Sequence, residues 1–246
     1  MKPKYTQLGN VVLVGTSHIA KESVDNVALV VDHFHALGLC IVGVELDKGR
    51  FYGLLHEQKK TTLFSFENIR QFGVKGFIFA LIASTFTDRL AKMVGAKPGE
   101  DMLSGIRAAK KHDLTIALLD QPIQITLRRF SQEITWKEKW RFVVDLFLGF
   151  LLPTRQAKKY GLENMDLRKV PQALLIAKML LHVRERYPNV YKVLIEERNA
   201  YMVRKIRFFQ QKHPDHVIIC VIGAGHEEGM VKLLHQSLYF TKLSDQ

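Results

Sequence analysis

Long hydrophobic runs are missing from this sequence. The two longest, FIFALIASTF from Phe77 and RFVVDLFLGFLL from Arg141, fall well short of the roughly 20 residues that a spanning helix needs, and Asp145 interrupts the second. No transmembrane segment is expected, and the two runs are left to lie on a membrane surface or in a homodimer interface. Cysteine is scarce too. Cys40 and Cys220, the only two, sit inside apolar β-branched runs, LCIVGV and VIICVIG, which read as buried strands and not as halves of a disulfide framework; this points to a reducing compartment. The opening MKPKYTQLGN is polar and lacks the apolar stretch of a signal peptide, so a cytoplasmic location is expected. No repeat of solenoid length and no low-complexity segment occurs.

Acidic residues are the minority charge, 24 Asp and Glu against 36 Lys and Arg, for a net charge of +12. Most of the excess is concentrated: from Ile125 to Lys212 there are 19 Lys and Arg against 8 Asp and Glu. Such a segment predicts weak, salt-sensitive contact with an anionic membrane surface. Nucleic acid is set aside as a partner, because no recognised nucleic-acid module accompanies the charge.

With 246 residues, 47% of them hydrophobic, the chain is long enough to bury one sizeable core. Asn10 to Val14 is a short apolar run ended by Gly15, and Lys21 to Leu37 then carries apolar residues at helical spacing. A second strand, Leu39 to Leu46, follows, so the opening residues predict one βαβ unit. From Phe51 to about His112 the pattern is mostly helical, broken at Gly73, Gly76 and Lys97 to Glu100. Thr115 to Asp120 is a third buried strand. After it come helices near Pro122 to Ile134, Lys137 to Leu152 and Val170 to Arg186, and another from Pro188 to about Gln211. His216 to Ile222 returns to the strand pattern, and a final helix runs from about Glu227 to Ser237. The expectation is a single α/β domain over 1–246: a largely parallel central sheet, flanking helices, and a basic helical insert at about 122–212 between the third and last core strands.

Ligands of open α/β sheets bind beyond the carboxyl ends of the parallel strands. Here those ends carry His18 after Gly15, Glu45, Asp120, and His226 after Gly223. Two imidazoles with one or two carboxylates form a common divalent-metal ligand set, and a glycine three residues before each His lets the backbone turn with no side chain in the way. Each residue also has a plainer reading. Glu45 suits the N-terminus of a helix beginning near Asp47, and Asp120 suits an N-cap. Gly223-Ala224-Gly225 with Gly229 invites a dinucleotide loop, which is rejected because no further strand with an acidic residue follows.

The blocks GTSHIAKES (Gly15 to Ser23), VELDKGR (Val44 to Arg50), PGEDM (Pro98 to Met102), LDQPIQITLRR (Leu119 to Arg129), ERNAYM (Glu197 to Met202) and GAGHEEG (Gly223 to Gly229) occur in that order and span nearly the whole chain. In this series the sequence resembles the TraB family, relatives of the Tiki metalloproteases with an erythromycin-esterase/ChaN-like fold. The resemblance implies a metallohydrolase centre in which His18, His226 and Glu45 are metal ligands and Glu45 is also the general base. Arg198 and Asn199 join Glu45 as catalytic residues, and Arg50, Asp120 and Arg129 are implied on the substrate side. Physically, a guanidinium or amide beside a metal holds a substrate carboxylate or a developing oxyanion, while the plainer alternative for each is a contact between helices. Gln121 stands where the family commonly has Arg, and the membrane-spanning C-terminal region of many relatives has no counterpart in this sequence.

The function expected is therefore a metal-dependent, peptidase-like hydrolase using Mn²⁺, Co²⁺ or Zn²⁺ on a peptide or small-molecule substrate. The alternative is a regulatory protein that binds a peptide or small acidic ligand without turning it over.

Overall fold

The computed structural model describes residues 2–16, 21–55, 99–151 and 172–244. His18, the run from Phe77, and the breaks expected at Gly73, Gly76 and Lys97-Pro98 lie outside the described residues.

The elements run β1 (Thr6–Leu8), β2 (Val11–Thr16), α1 (Lys21–His35), β3 (Cys40–Val44), α2 (Lys48–Leu55), α3 (Glu100–Lys111) and β4 (Thr115–Leu118). Then come α4 (Ile123–Glu133), α5 (Trp136–Leu151), α6 (Gln172–Arg186), α7 (Pro188–Tyr191), a π-helical turn at Lys192–Glu196, α8 (Glu197–Lys212), β5 (Val217–Gly223) and α9 (Ala224–Ser244). Between β4 and β5 every described element is helical.

The five strands form one sheet in the order β1-β2-β5-β3-β4. Only β1 is antiparallel to its neighbour; β2, β5, β3 and β4 run parallel. The sequence reading needs two amendments. It has no counterpart for β1, a three-residue edge strand in a polar segment, too short to show a period. It also expects β2 and β3 as one βαβ unit; they are parallel, but β5 from the far end of the chain lies between them. VIICVIG, like CIVGV beside it, is apolar at every position, and it is buried from Ile218 onward, which suits a strand covered on both faces.

Alternate residues of the strands feed two cores. Val12, Val14, Val42, Val44, Ile219 and Val221 pack against Val27, Val30, Val31 and Phe34 of α1 and Met102, Ile106 and Ala109 of α3. Val11, Leu13, Ile41, Ile218, Cys220 and Ile222 pack on the opposite face against Met202, Val203 and Ile206 of α8 and Met230 and Leu234 of α9. The result is a helix–sheet–helix sandwich. Cys40 and Cys220 are buried and unpaired in their strands, and burial pushes both thiols above their ordinary pKa.

Asp145, the residue that interrupts the second apolar run, accepts hydrogen bonds from the Arg186 guanidinium and the Tyr187 hydroxyl, which ties α5 to the end of α6. No helix among the described residues is long and apolar enough to cross a membrane.

Candidate functional site

Parallel pairing puts the carboxyl ends of β2, β5, β3 and β4 on one edge of the sheet. In register, Thr16 is opposite Gly223, Val44 opposite Val221, and Val44 also opposite Leu118. The chain therefore delivers Glu45, Asp47, Asp120 and His226 to that edge, each within a few residues of a strand end. Two Gly-x-x-His motifs leave adjacent strands there, one residue out of register, since Gly15 is opposite Ile222.

Glu45 is the hub. It is 8% exposed, and its Oε2 accepts the backbone N–H of Gly223 at 2.7 Å. Its Oε1 is engaged by the Arg198 guanidinium and lies 3.2 Å from His226 Nε2. Burial opposes ionisation here, but His226, Arg198 and the Gly223 N–H outweigh it and hold the carboxyl well below the usual carboxylate range.

Arg198 also grips Asp120, with Nε 3.1 Å from Oδ1 and Nη2 2.6 Å from Oδ2. The Asp120 side chain is fully shielded from solvent; it takes a third bond from the Gln121 N–H at 2.8 Å and a fourth from Arg50. Asp47 accepts from the backbone N–H groups of Gly49 and Arg50 at 2.7 and 3.0 Å and from Arg50 Nε at 2.8 Å. Asp47, then, caps α2, which frees Glu45 from the helix-end role. Pro122, not Asp120, precedes α4.

His226 lies in the first turn of α9, which begins at Ala224, three residues earlier than the sequence predicts. The glycine-rich segment is helix onset and not a nucleotide loop. Its Nδ1 is 2.7 Å from Asn199 Oδ1, both residues being buried. With the proton on Nδ1, a neutral imidazole presents the Nε2 lone pair to a carboxylate oxygen. Two acceptors at 3.2 Å call for a positive species between or beside them, a proton or a metal ion.

Two glycines of the motif blocks, Gly15 and Gly229, are explained by neighbours and not by turns. A Cβ on Gly15 would lie 2.1 Å from Glu227 Oε2, and one on Gly229 would lie 2.3 Å from Asn199 Nδ2. Glu227 Oε1 in turn accepts the Thr6 hydroxyl at 2.8 Å. Gly15 thus makes room for a carboxylate of the second motif, and Gly229 makes room for the amide that orients His226.

Of the residues singled out in the sequence, Glu45, Arg50, Asp120, Arg198, Asn199 and His226 are gathered into one network, buried apart from the part-exposed Arg50. Arg129 is not part of it: on α4 it meets Glu197 at 2.7 Å and Glu133 at 3.0 Å. Asp47, Glu227, Thr16 and Asp101 were not singled out. The hydroxyl of Thr16 lies between the Asp101 carboxylate and the Ile222 carbonyl oxygen (3.1 Å), and both side chains are buried at the end of β2. The only sequence signal for Asp47, Asp101 and Glu227 is their presence inside the motif blocks VELDKGR, PGEDM and GAGHEEG.

The hub sets the carboxylates of Glu45, Asp47 and Asp120 against the guanidiniums of Arg50 and Arg198, so one more positive charge, on a protonated His226 or on a bound cation, completes the balance. Among the described residues, no group of three or more His, Cys, Asp or Glu side chains is arranged to hold a metal ion.

Residues 4–239 match the TraB/PrgY/gumN family. The chain is also similar to an uncharacterised protein of Methanocaldococcus jannaschii, 31% identical over 229 residues, which cover 92% of this chain and 53% of that protein. The chain thus spans about half the length of the curated relative it matches.

Proposed function

The chain belongs to the TraB/PrgY/gumN family, and on that premise we propose that the buried network at the strand ends is the centre of a metal-dependent hydrolase acting on a peptide or small-molecule substrate. The observation that carries the reading is the pairing of His226 Nε2 with Glu45 Oε1 in a cluster that has more buried carboxylates than guanidiniums. His226 and Glu45 would hold the divalent cation, Mn²⁺, Co²⁺ or Zn²⁺. His18, two residues beyond Thr16 in the sequence, is proposed as the further ligand. Such a cation, when bound, supplies a more acidic water and a polarised carbonyl.

The chain's own residues have separable tasks. Asn199 fixes the tautomer of His226 so that Nε2 is the coordinating nitrogen. The Gly223 N–H and Arg198 orient the Glu45 carboxylate, and Asp120 together with Arg50 and Asp47 holds Arg198 in turn. Both Glu45 oxygens are already engaged, Oε2 by the Gly223 N–H and Oε1 by Arg198 and His226. This favours Glu45 as ligand over Glu45 as general base. The same saturation bears on the arginines: Arg50 and Arg198 are each engaged by two carboxylates, which argues against either of them as an open cradle for a substrate carboxylate.

Quenched-fluorescent peptide libraries and simple esters, assayed with each of Mn²⁺, Co²⁺ and Zn²⁺, test the proposal. Turnover that needs one of these metals and vanishes in His226→Ala supports it. Turnover that is equal with and without metal, or equal in the variant, contradicts it.

A further inference from the structure

A cavity of about 470 Å³ opens between α4, α8 and α9. Gln121, Ile125 and Arg129 line it from the α4 side, Leu233 from α9, and Glu197, Ala200, Val203, Arg204 and Arg207 from α8. It is of the size that holds small organic ligands. The metal centre proposed above does not use it.

Its charges are unequal. Glu197 is already committed to Arg129, whose Nε and Nη2 both donate to it, at 3.1 and 2.7 Å. Arg204 and Arg207, one helical turn apart, have no carboxylate partner in the cavity wall. Arg204 is exposed, with its guanidinium over the ring of Tyr201. Arg207 spends Nη2 on the Leu233 carbonyl at 3.1 Å, while its Nε is shielded from solvent with no hydrogen-bond partner among the described residues. The exposed guanidinium of Arg204 and the part-exposed side chain of Arg207 are the groups that an incoming anion would meet. Beside these cations the wall is aliphatic: Ile125, Ala200, Val203 and Leu233, with Ile125 45% exposed. Gln121 donates its Nε2–H to the Thr126 hydroxyl at 2.7 Å.

We propose that this cavity is a binding site for a small carboxylate carrying a hydrocarbon body, the carboxylate meeting Arg204 and Arg207 and the hydrocarbon lying on Ile125, Val203 and Leu233. It is separate from the metal centre proposed above, so it stands or falls independently of hydrolysis.

The test is calorimetric titration of the full chain with octanoate, octylamine and inorganic phosphate. Octanoate should bind saturably, octylamine should not, and phosphate should bind at least about tenfold more weakly because it leaves the aliphatic wall uncovered. Arg204→Glu changes an exposed residue and leaves the fold intact; it should weaken octanoate by about tenfold or more. Ala200→Trp, which fills the cavity, should abolish binding, with a thermal melt confirming that the variant is folded. Absence of saturable octanoate binding overturns the proposal. So does octylamine binding as well as octanoate, phosphate binding as well as octanoate, or octanoate binding unchanged in Arg204→Glu.

Discussion

The carboxylate of Glu227 occupies the space in which a side chain on Gly15 would stand, with Oε2 only 2.1 Å from the position of an added Cβ. Two motifs from opposite ends of the chain are thereby locked to each other by a missing methyl group. Because the atom in the way is the far end of a flexible side chain, Gly15→Ala should displace Glu227 rather than unfold the sheet. The loss of its bond to Thr6 then costs about 1 kcal/mol. In a Glu227→Ala background the same substitution should cost almost nothing. Urea unfolding of the four proteins of this cycle checks the coupling, and additive losses would refute it.

Arg198 bridges Glu45 and Asp120, both buried, so its removal strands two carboxylates. Arg198→Ala should destabilise the protein by about 3–5 kcal/mol in denaturant unfolding. Arg198→Lys should recover little, since an ammonium cannot reproduce the two parallel bonds to Asp120. Near-wild-type stability of either variant would show that the network contributes little to folding.

Asn199 accepts from His226 and is seated against Gly229. Replacing it with Leu leaves a buried imidazole N–H without an acceptor, at a cost of about 1–3 kcal/mol. If the ring serves a metal, affinity should also fall about 10- to 100-fold, because the ring loses its orientation. Metal titration of a stable-folding Asn199→Ser variant separates the two effects: it should retain stability better than it retains affinity.

Acid should weaken the fold in a definite direction. Glu45 is held well below its ordinary pKa, and so is Glu138, where burial is outweighed by hydrogen bonds from Asn189 and Thr135. A carboxyl with a depressed folded-state pKa contributes its full stabilisation above the unfolded value of about 4.3, and that contribution is lost as pH falls. The melting temperature should therefore hold from about pH 7 to about pH 5 and drop below about pH 4. Glu45→Gln should flatten the drop, and an unchanged profile in that variant would contradict the assignment.

How far the sequence foretold this arrangement depends on the kind of signal. Apolar runs such as VIICVIG and the helical spacing after Lys21 mark strands and helices directly, because burial imposes those periods. The strand-end placement of Glu45, Asp120 and His226 follows from the same pattern. The central position of β5 does not, since strand order is set by packing between distant segments. Nor does the π-helical turn at Lys192–Glu196, which shifts the helical phase just before Arg198 and Asn199 and has no marker in KVLIE. The reasons for Gly15 and Gly229 were hidden for a related cause: each glycine accommodates a side chain far away in the sequence, whereas the sequence alone suggested a local turn at Gly15 and only a rejected nucleotide loop at Gly229. Arg129 and Arg198 illustrate the limit for charged residues. Both are motif arginines, yet one faces the strand ends and the other Glu197, because they leave different helices.

The most direct test of the central claim is metal analysis of the protein purified without chelator, wild type beside a His18→Ala, His226→Ala double variant. The account predicts about one equivalent of Mn²⁺, Co²⁺ or Zn²⁺ in the wild type, or its uptake on dialysis against the metal, and loss of that equivalent in a folded double variant. A wild type that takes up no divalent metal, or a double variant that retains it in full, would contradict the claim.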